Sequence, residues 1–136
     1  MKALLACVLA FSLALPVWAS EAKEGEEGAS QPNYVNLTPA LVGNYGAGPK
    51  IKYYKADIAL MTMSKEAAGR VSFHEPLIRN QLIMLFDQQT DESLNGVENR
   101  ENLRQAALKQ AQDILNAEEG KPLVEDLLFN NLIIQP

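Results

Sequence analysis

The segment over residues 72–89 restricts the possible folds of this chain most strongly, because it carries a clear amphipathic helix pattern. Ser72 and Glu75 have the spacing of a capping box, which predicts that the helix begins at Ser72, with Pro76 in its first turn. Its apolar residues recur at steps of three and four and form one stripe: Leu77, Ile78, Leu82, Leu85 and Phe86. Such a stripe needs a sheet or another helix to cover it, so the segment predicts a packed domain.

Two further helices are predicted around this segment. A short helix over residues 64–70 precedes it, with Ser64 as the N-cap. The two segments form either one rod or two separate helices, and a kink at Pro76 is favoured because proline removes a helical hydrogen bond. Asn95, with a glutamate three residues on, predicts the cap of a third helix over residues 97–117. Its predicted buried stripe is Leu103, Ala106, Ala107, Gln110, Ala111, Ile114 and Leu115.

Strand patterns lie on both sides of the helices. Residues 34–37 predict a short edge strand, and the glycine-rich residues 43–49 predict a loop. Residues 51–63 form the strongest strand pattern, and their second half is apolar on both alternating faces, which predicts burial of that end on both sides. Residues 123–135 predict a closing strand, in which the asparagine pair at Asn130 indicates a bulge or a change of buried face.

This order of elements predicts the fold class and the domain organisation. A pair of helices and a further helix separate the long strand from the closing one, which favours an α/β (α+β) domain with a small antiparallel or mixed sheet and helices packed on one face. We expect this domain to cover residues 33–136.

The first 32 residues are predicted to lie outside that domain. Residues 1–19 have a positive start at Lys2, an apolar core and small residues before Ala19, which predicts a signal peptide cleaved after Ala19. The apolar run is shorter than the roughly 20 residues of a membrane-spanning helix, so an uncleaved anchor is the less favoured alternative. Residues 20–32 are acidic and contain glycine and serine, which predicts a disordered leader.

Charge and residue types argue against several functions. The chain carries a formal net charge of −5 and no basic cluster, which argues against nucleic-acid binding. His74 is the only histidine, and it has no evident partners for a metal site or a nucleophilic triad. The spacing of Gly43, Gly46 and Gly48 does not match a phosphate-binding loop. We therefore predict a protein that is not an enzyme, with no cofactor, no metal and no small-molecule substrate.

Five short motifs follow one another between residues 34 and 135. They are a tyrosine-leucine strand with a later asparagine, a Tyr-Tyr-Lys strand, a Pro-x-Ile-Arg helix, an Asn-Arg-Glu-x-Leu-Arg segment and a final apolar strand. The first motif comprises Tyr34, Leu37 and Asn44, and the second comprises residues 53–60. The third comprises Pro76, Ile78, Arg79 and Asn80, the fourth comprises residues 99–104, and the fifth ends at Gln135. In this order and at these separations they resemble the periplasmic domain of the flagellar basal-body-associated FliL family.

The resemblance implies a fold and a function. The fold would be similar to that of stomatins and prohibitins (SPFH), and the protein would be a non-enzymatic accessory of the flagellar motor in the periplasm of a Gram-negative bacterium, near the inner membrane. Its expected partners are flagellar stator or basal-body proteins and, in a ring, its own copies. It would support flagellar rotation during swimming or swarming.

The resemblance also implies interface residues. Arg79, Arg100 and Arg104 match the motif helices, and their guanidinium groups suit carboxylates of a partner. FliL proteins usually keep an uncleaved transmembrane helix, whereas this N-terminus is predicted to be removed. The alternative is therefore a soluble periplasmic SPFH-like scaffold or adaptor that is not tied to the motor.

Overall fold

The chain folds into one sheet and one layer of helices over residues 31–136, which are the residues that this computed structural model describes. The predicted signal peptide and nearly all of the predicted leader lie outside the described residues. The elements are β1 (Asn33–Asn36), β2 (Leu41–Tyr45), β3 (Lys52–Thr62), α1 (Lys65–Phe73), α2 (Glu75–Asp87), α3 (Val97–Glu119) and β4 (Asp126–Gln135).

The long strand β3 is the centre of the sheet, and all of its pairings are antiparallel. Strands β1 and β2 pair with successive parts of one side of β3, and β4 pairs with the other side along most of its length. Residues 58–60 are buried on both faces, as the sequence predicted. The mixed-sheet alternative is therefore excluded for the described strands, and the antiparallel prediction is confirmed.

Strands β1 and β2 together form one edge of the sheet, and the hydrogen-bonded ladder with β3 is interrupted between them. Val35 pairs with Leu60 in β1, while Leu41 pairs with Ala56 in β2, so residues between the two strands leave the regular ladder. The predicted loop start at Gly43 is wrong, because β2 continues through Tyr45 and Gly43 pairs with Tyr54. Gly46 and not Gly43 is the first residue there with a positive φ.

The closing strand β4 contains the predicted bulge. Phe129 pairs with Ile58 and Asn131 pairs with Asp57, so Asn130 is an extra residue. The bulge brings apolar residues of both parities, such as Phe129 and Leu132, to the side of the helices. The strand begins at Asp126 and not at residue 123, because Leu123 has a φ of 54° and cannot belong to an extended strand.

Helix α1 begins as predicted, whereas α2 begins at a different residue from the predicted one. Ser64 caps α1 as expected, and its Oγ accepts a hydrogen bond from the Ala67 amide at 3.0 Å. The capping box at Ser72 is wrong, since Ser72 lies within α1, and the break comes at His74, shortly before Pro76. A single residue thus separates α1 from α2, which agrees with the favoured kink.

The third helix, α3, begins after Gly96, which has a φ of 88° and takes the N-cap position predicted for Asn95. It extends slightly beyond its predicted end, to Glu119.

The core lies between the helices and one face of the sheet, which confirms the predicted layer arrangement. Strand β3 contributes Tyr54, Ala56, Ile58 and Leu60; helix α2 contributes Ile78, Leu82 and Phe86; helix α3 contributes Leu103, Ala107, Ala111 and Leu115. Leu77 was predicted in the stripe but is 38% exposed on the outer side of α2, and Ala106 is exposed on α3.

The opposite face of the sheet has no helix layer among the described residues, and we call it the open face. Its side chains alternate with the buried ones along each strand. It includes Tyr34, Val42, Tyr53, Lys55, Asp57, Ala59, Met61, Leu128, Asn131, Ile133 and Gln135.

Candidate interaction site

Arg79 joins helix α2 to the interrupted edge of the sheet. Its Nη1 donates to the Pro39 carbonyl at 2.6 Å, and its Nη2 donates to the Ala40 carbonyl at 3.0 Å. These carbonyls lie between β1 and β2, where no neighbouring strand bonds them. Arg79 therefore satisfies backbone groups that the interruption would otherwise leave to water.

Arg104 has a similar role at the other edge of the sheet. Its Nη1 donates to the Asp126 carboxylate at 2.6 Å and to the Leu127 carbonyl at 3.0 Å, and its Nη2 donates to Glu101 at 2.5 Å. Hydrogen bonds from Arg104 and then Gln105 lower the pKa of Glu101 to about 2. The pKa of Arg104 is raised, mainly by the hydrogen bond to Glu101. Its Nε also donates to Glu101, at 2.8 Å, so all three guanidinium nitrogens of Arg104 are engaged within the domain.

Arg100 is the most available of the three predicted arginines. It lies one turn before Arg104 on α3 and is exposed, and its Nε donates to the Leu94 carbonyl at 3.2 Å. Its two terminal nitrogens donate no hydrogen bond to any residue between 31 and 136. Arg100 also lines a cleft of about 280 Å³ together with Tyr45 and Asp91.

The three arginines do not form one cluster. Arg100 and Arg104 lie on adjacent turns of α3, and Arg104 reaches β4. Arg79 reaches the β1–β2 segment, which lies on the opposite side of β3. A partner that contacts all three would therefore have to span the helical layer.

Two tyrosine–aspartate hydrogen bonds join the sheet to the end of α2 and to the segment after it, and neither was predicted from the sequence. The Tyr54 hydroxyl donates to Asp87 at 2.9 Å, and the Tyr45 hydroxyl donates to Asp91 at 3.0 Å. Burial and then the aspartate hydrogen bond raise the pKa of each tyrosine. Hydrogen bonds from Lys52 and Tyr45 lower the pKa of Asp91.

Gly43 makes room for the first pair. A Cβ at this position would lie 2.6 Å from the Tyr54 hydroxyl oxygen and 3.0 Å from the Asp87 carboxylate. A glycine within a strand often marks such a close approach, and this was the one signal in the sequence that could have indicated the pair.

A third polar cluster holds the junction of α1 and α2 against the end of α3. Glu119 Oε1 lies 2.8 Å from His74 Nε2 and accepts a hydrogen bond from Arg70 Nε at 2.6 Å. The hydrogen bond with His74, and then that from Arg70, lowers the pKa of Glu119. The sole histidine is thus engaged by an acidic side chain across the helical layer.

No group of three or more histidine, cysteine or acidic residues in the described part of the chain could hold a metal ion. Every buried side-chain nitrogen or oxygen there has a hydrogen-bond partner. No helix among residues 31–136 is long and apolar enough to cross a membrane.

The family match decides the relationship that the motifs suggested. Residues 34–135 match the model of the family described as flagellar basal body-associated protein FliL. The chain belongs to the FliL family. The match covers about three quarters of the chain and nearly all of the described domain. No curated protein matches the chain.

Membership in the FliL family sets the coarse function. FliL proteins are flagellar basal-body accessory proteins and are not known as enzymes. The mixed α/β domain with a small antiparallel sheet is compatible with the SPFH-like fold that the resemblance implied. Arg79 and Arg104 bind groups of their own chain, so their interface role stays a prediction, and Arg100 is the strongest candidate for contact with a partner.

Proposed function

We propose that this FliL protein is a non-enzymatic accessory of the flagellar motor that associates with stator complexes and supports rotation during swimming or swarming. The observation that carries the proposal is the family match over residues 34–135. The proposal includes export to the periplasm by the N-terminal signal peptide, where the domain meets the periplasmic parts of its partners.

The arginines support a specific division of roles within this function. Arg100 has two terminal nitrogens that donate no hydrogen bond within residues 31–136, and a guanidinium group with free donors can bind a partner carboxylate at two points. Arg104 is bound to Asp126 and Leu127, and it fixes the part of α3 that carries Arg100. Arg79 fixes α2 in the same manner. We therefore assign the partner contact to Arg100 and the positioning of the helices to Arg79 and Arg104.

Complementation of a deletion strain tests this function. The strain receives the wild-type gene, Arg100→Ala or the matched control Lys109→Ala, and swimming in soft agar and swarming on firm agar are measured. Lys109 is an exposed cation on the same helix, and among the described residues its one ion pair is with Asp113 of that helix, at 2.7 Å. We expect deletion to impair motility, and we expect wild type and Lys109→Ala, but not Arg100→Ala, to restore it at equal protein levels.

The same strains separate the motor function from its alternative. Normal motility of the deletion strain on both soft and firm agar would contradict the motor function and favour a scaffold outside the motor. Full rescue by Arg100→Ala would keep the motor function but contradict the assignment of the partner contact. Co-purification of a tagged wild-type protein with stator proteins, compared with Arg100→Ala, measures the contact directly.

A further inference from the structure

Strand β4 forms the second edge of the sheet, and it is long for an edge strand. It has 10 residues, Asp126–Gln135, and β3 is the only strand that pairs with it among the described residues. An edge strand presents unpaired amides and carbonyls that can bond to another extended chain, and proteins usually shorten or cover such edges. The outer side of β4 is therefore a place where a further strand can add.

Two hydrogen bonds show which way the backbone groups of β3 point. The Ile58 carbonyl accepts from the Leu37 amide at 2.9 Å on the side of β1, and the Met61 carbonyl accepts from the Glu125 amide at 2.8 Å on the side of β4. Successive residues of an antiparallel strand direct their backbone groups to opposite sides. The even-numbered residues of β3 therefore bond to β1 and β2, and the odd-numbered ones bond to β4.

This alternation identifies the backbone groups of β4 that remain at its outer side. After the bulge, Asn131, Ile133 and Gln135 lie opposite odd-numbered residues of β3 and bond to them. The amides and carbonyls of Leu132 and Ile134 point the other way, and they form no hydrogen bond with any described residue. We call this part of β4, residues 131–135, the free edge.

The first half of β4, in contrast, is closed by side chains. The Leu127 amide donates to Asp126 Oδ1 at 2.8 Å, and the Leu127 carbonyl accepts from Arg104 at 3.0 Å. Arg104 thus occupies an outward-facing carbonyl that a further strand would need. A strand can therefore add only after the bulge at Asn130, along the free edge.

A cleft at the end of the free edge contains a cationic group with available donors. Ile134 and Arg100 both line the cleft of about 280 Å³ described above. The two terminal nitrogens of Arg100 donate no hydrogen bond within residues 31–136. The acidic residue of the cleft, Asp91, already bonds to Lys52 and Tyr45. Arg100 is thus the charge in this cleft that a ligand can engage.

Ile134 connects the free edge to this cleft. Its side chain lies on the side of the helices, partly buried against the core. A residue opposite Ile134 on an added strand places its side chain on the same side, with the two Cβ atoms about 5 Å apart. A carboxylate there approaches the guanidinium group of Arg100, and such pairs form two parallel hydrogen bonds. The next residue lies beside Ile133 on the open face, where an exposed isoleucine suits an apolar neighbour.

We propose that the free edge is a docking site for an extended segment of a partner protein, which adds to β4 as a further strand and brings a carboxylate to Arg100. The segment has an acidic side chain toward the helices and apolar neighbours toward the open face, and it has no proline where it bonds to Leu132 and Ile134. Main-chain hydrogen bonds provide affinity, and Arg100 selects acidic segments. The proposal rests on the proposed function, because it describes how the partner that Arg100 contacts is bound.

A blocked peptide of sequence Thr-Thr-Val-Glu-Val-Thr-Thr tests the free edge directly, with a matched peptide that carries Gln in place of Glu. Binding to the protein, purified from cells that produce the whole chain, is followed by nuclear magnetic resonance. We expect slower amide exchange at Leu132 and Ile134, and about tenfold weaker binding of the Gln peptide. Arg100→Ala should remove this preference. No binding of the Glu peptide up to about 1 mM, or equal binding of both peptides to the wild type, would overturn the proposal.

Leu132→Pro and Leu132→Ala form a matched pair of variants. Both remove a partly buried leucine side chain, but only proline also removes the outward amide, and an edge strand tolerates proline at such a position. Leu132→Pro should abolish peptide binding, whereas Leu132→Ala should keep it within about threefold. Equal binding by two folded variants, as judged by circular dichroism, would contradict the proposal. If Leu132→Pro does not fold, the preference for the Glu peptide and its loss in Arg100→Ala decide the question.

Motility distinguishes failure of this proposal from failure of the proposed function. In the deletion strain Leu132→Ala should restore swimming and Leu132→Pro should not, at equal protein levels. Rescue by Leu132→Pro would overturn the docking site and leave the flagellar function standing. Normal motility of the deletion strain would contradict the flagellar function, while the peptides would still report on the free edge. Self-association that only Leu132→Pro abolishes, measured by sedimentation, would assign the free edge to a second copy and overturn the proposal.

Discussion

Tyr54 joins the two layers of the domain through one side chain. It is 1% exposed, its ring stacks on Phe86 with the centroids 5.0 Å apart, and its hydroxyl donates to Asp87. Gly43 leaves the space that this hydrogen bond needs. Burial and the hydrogen bond to Asp87 raise the pKa of Tyr54, so the neutral form is favoured in the folded protein.

The raised pKa of Tyr54 predicts a loss of stability at alkaline pH. Above about pH 10 a tyrosine in the unfolded chain loses its proton while folded Tyr54 keeps it, so the unfolded state binds fewer protons and stability falls as pH rises. In Tyr54→Phe this fall should be shallower, by at most about 1.4 kcal/mol per pH unit. At neutral pH the variant should lose about 1 kcal/mol, the value of one hydrogen bond.

Urea unfolding at neutral pH and at several values above pH 10 measures both effects. The control is Tyr53→Phe, since Tyr53 lies on the open face and its hydroxyl makes no hydrogen bond to any described residue. Equal slopes of unfolding free energy against pH for the wild type and Tyr54→Phe would refute the prediction.

Strand β4 shows how one extra residue determines which side chains are buried. Before the bulge Leu127 and Phe129 face the helices, and after it Leu132 and Ile134 do so. Because side chains alternate with a period of two, these four residues share a face only because Asn130 is left out of the pairing.

Insertion of one serine after Asn131 should therefore be severely destabilising. The insertion moves Leu132 and Ile134 to the open face and turns Gln135 toward the core, at a cost of at least about 3 kcal/mol. Deletion of Asn130 removes only the extra residue and keeps Phe129, Leu132 and Ile134 on the core side, so it should cost much less. Denaturant unfolding of the wild type and the two variants checks this, and an insertion variant as stable as the deletion variant would show that the alternation of side chains does not determine which residues are buried.

The bulge and the layer arrangement could be predicted from local patterns, whereas two helix starts could not. The asparagine pair interrupts an apolar strand, and that signal lies within a few residues of its effect. The capping box at Ser72 has the correct spacing but lies within α1, because Pro76 breaks the helix only at His74. Spacing alone does not reveal whether a serine has helical or extended backbone angles, and only extended angles make it a cap.

In the complete domain, two of the three predicted interface arginines are bonded to groups of their own chain. The sequence identified Arg79, Arg100 and Arg104 but not their partners, because the partners lie far along the chain. Arg79 contacts residues 39 and 40, and Arg104 contacts residues 126 and 127. Local patterns carry no information on such distant contacts, so the division into bound and available arginines emerged only from the fold.

This division predicts that two arginines one turn apart contribute unequally to the free energy of unfolding. Arg104→Ala removes the side-chain donor of the Leu127 carbonyl and the ion pairs with Asp126 and Glu101, so it should lower the free energy of unfolding by about 1 to 2 kcal/mol. Arg100→Ala removes an exposed side chain with one long hydrogen bond, so it should stay within about 0.5 kcal/mol of the wild type. Chemical unfolding of the purified variants measures both values.

The combination of stability and motility then separates support of the fold from contact with a partner. If Arg100 contacts the motor, Arg100→Ala is stable but fails to restore motility. Arg104→Ala, by contrast, should reduce motility only in proportion to the loss of folded protein. Growth at a lower temperature distinguishes the two, because it should recover Arg104→Ala and not Arg100→Ala. A stable Arg104→Ala that still abolishes motility would instead place Arg104 in the contact, and its bonds to Asp126 and Leu127 would then have to open when the partner binds.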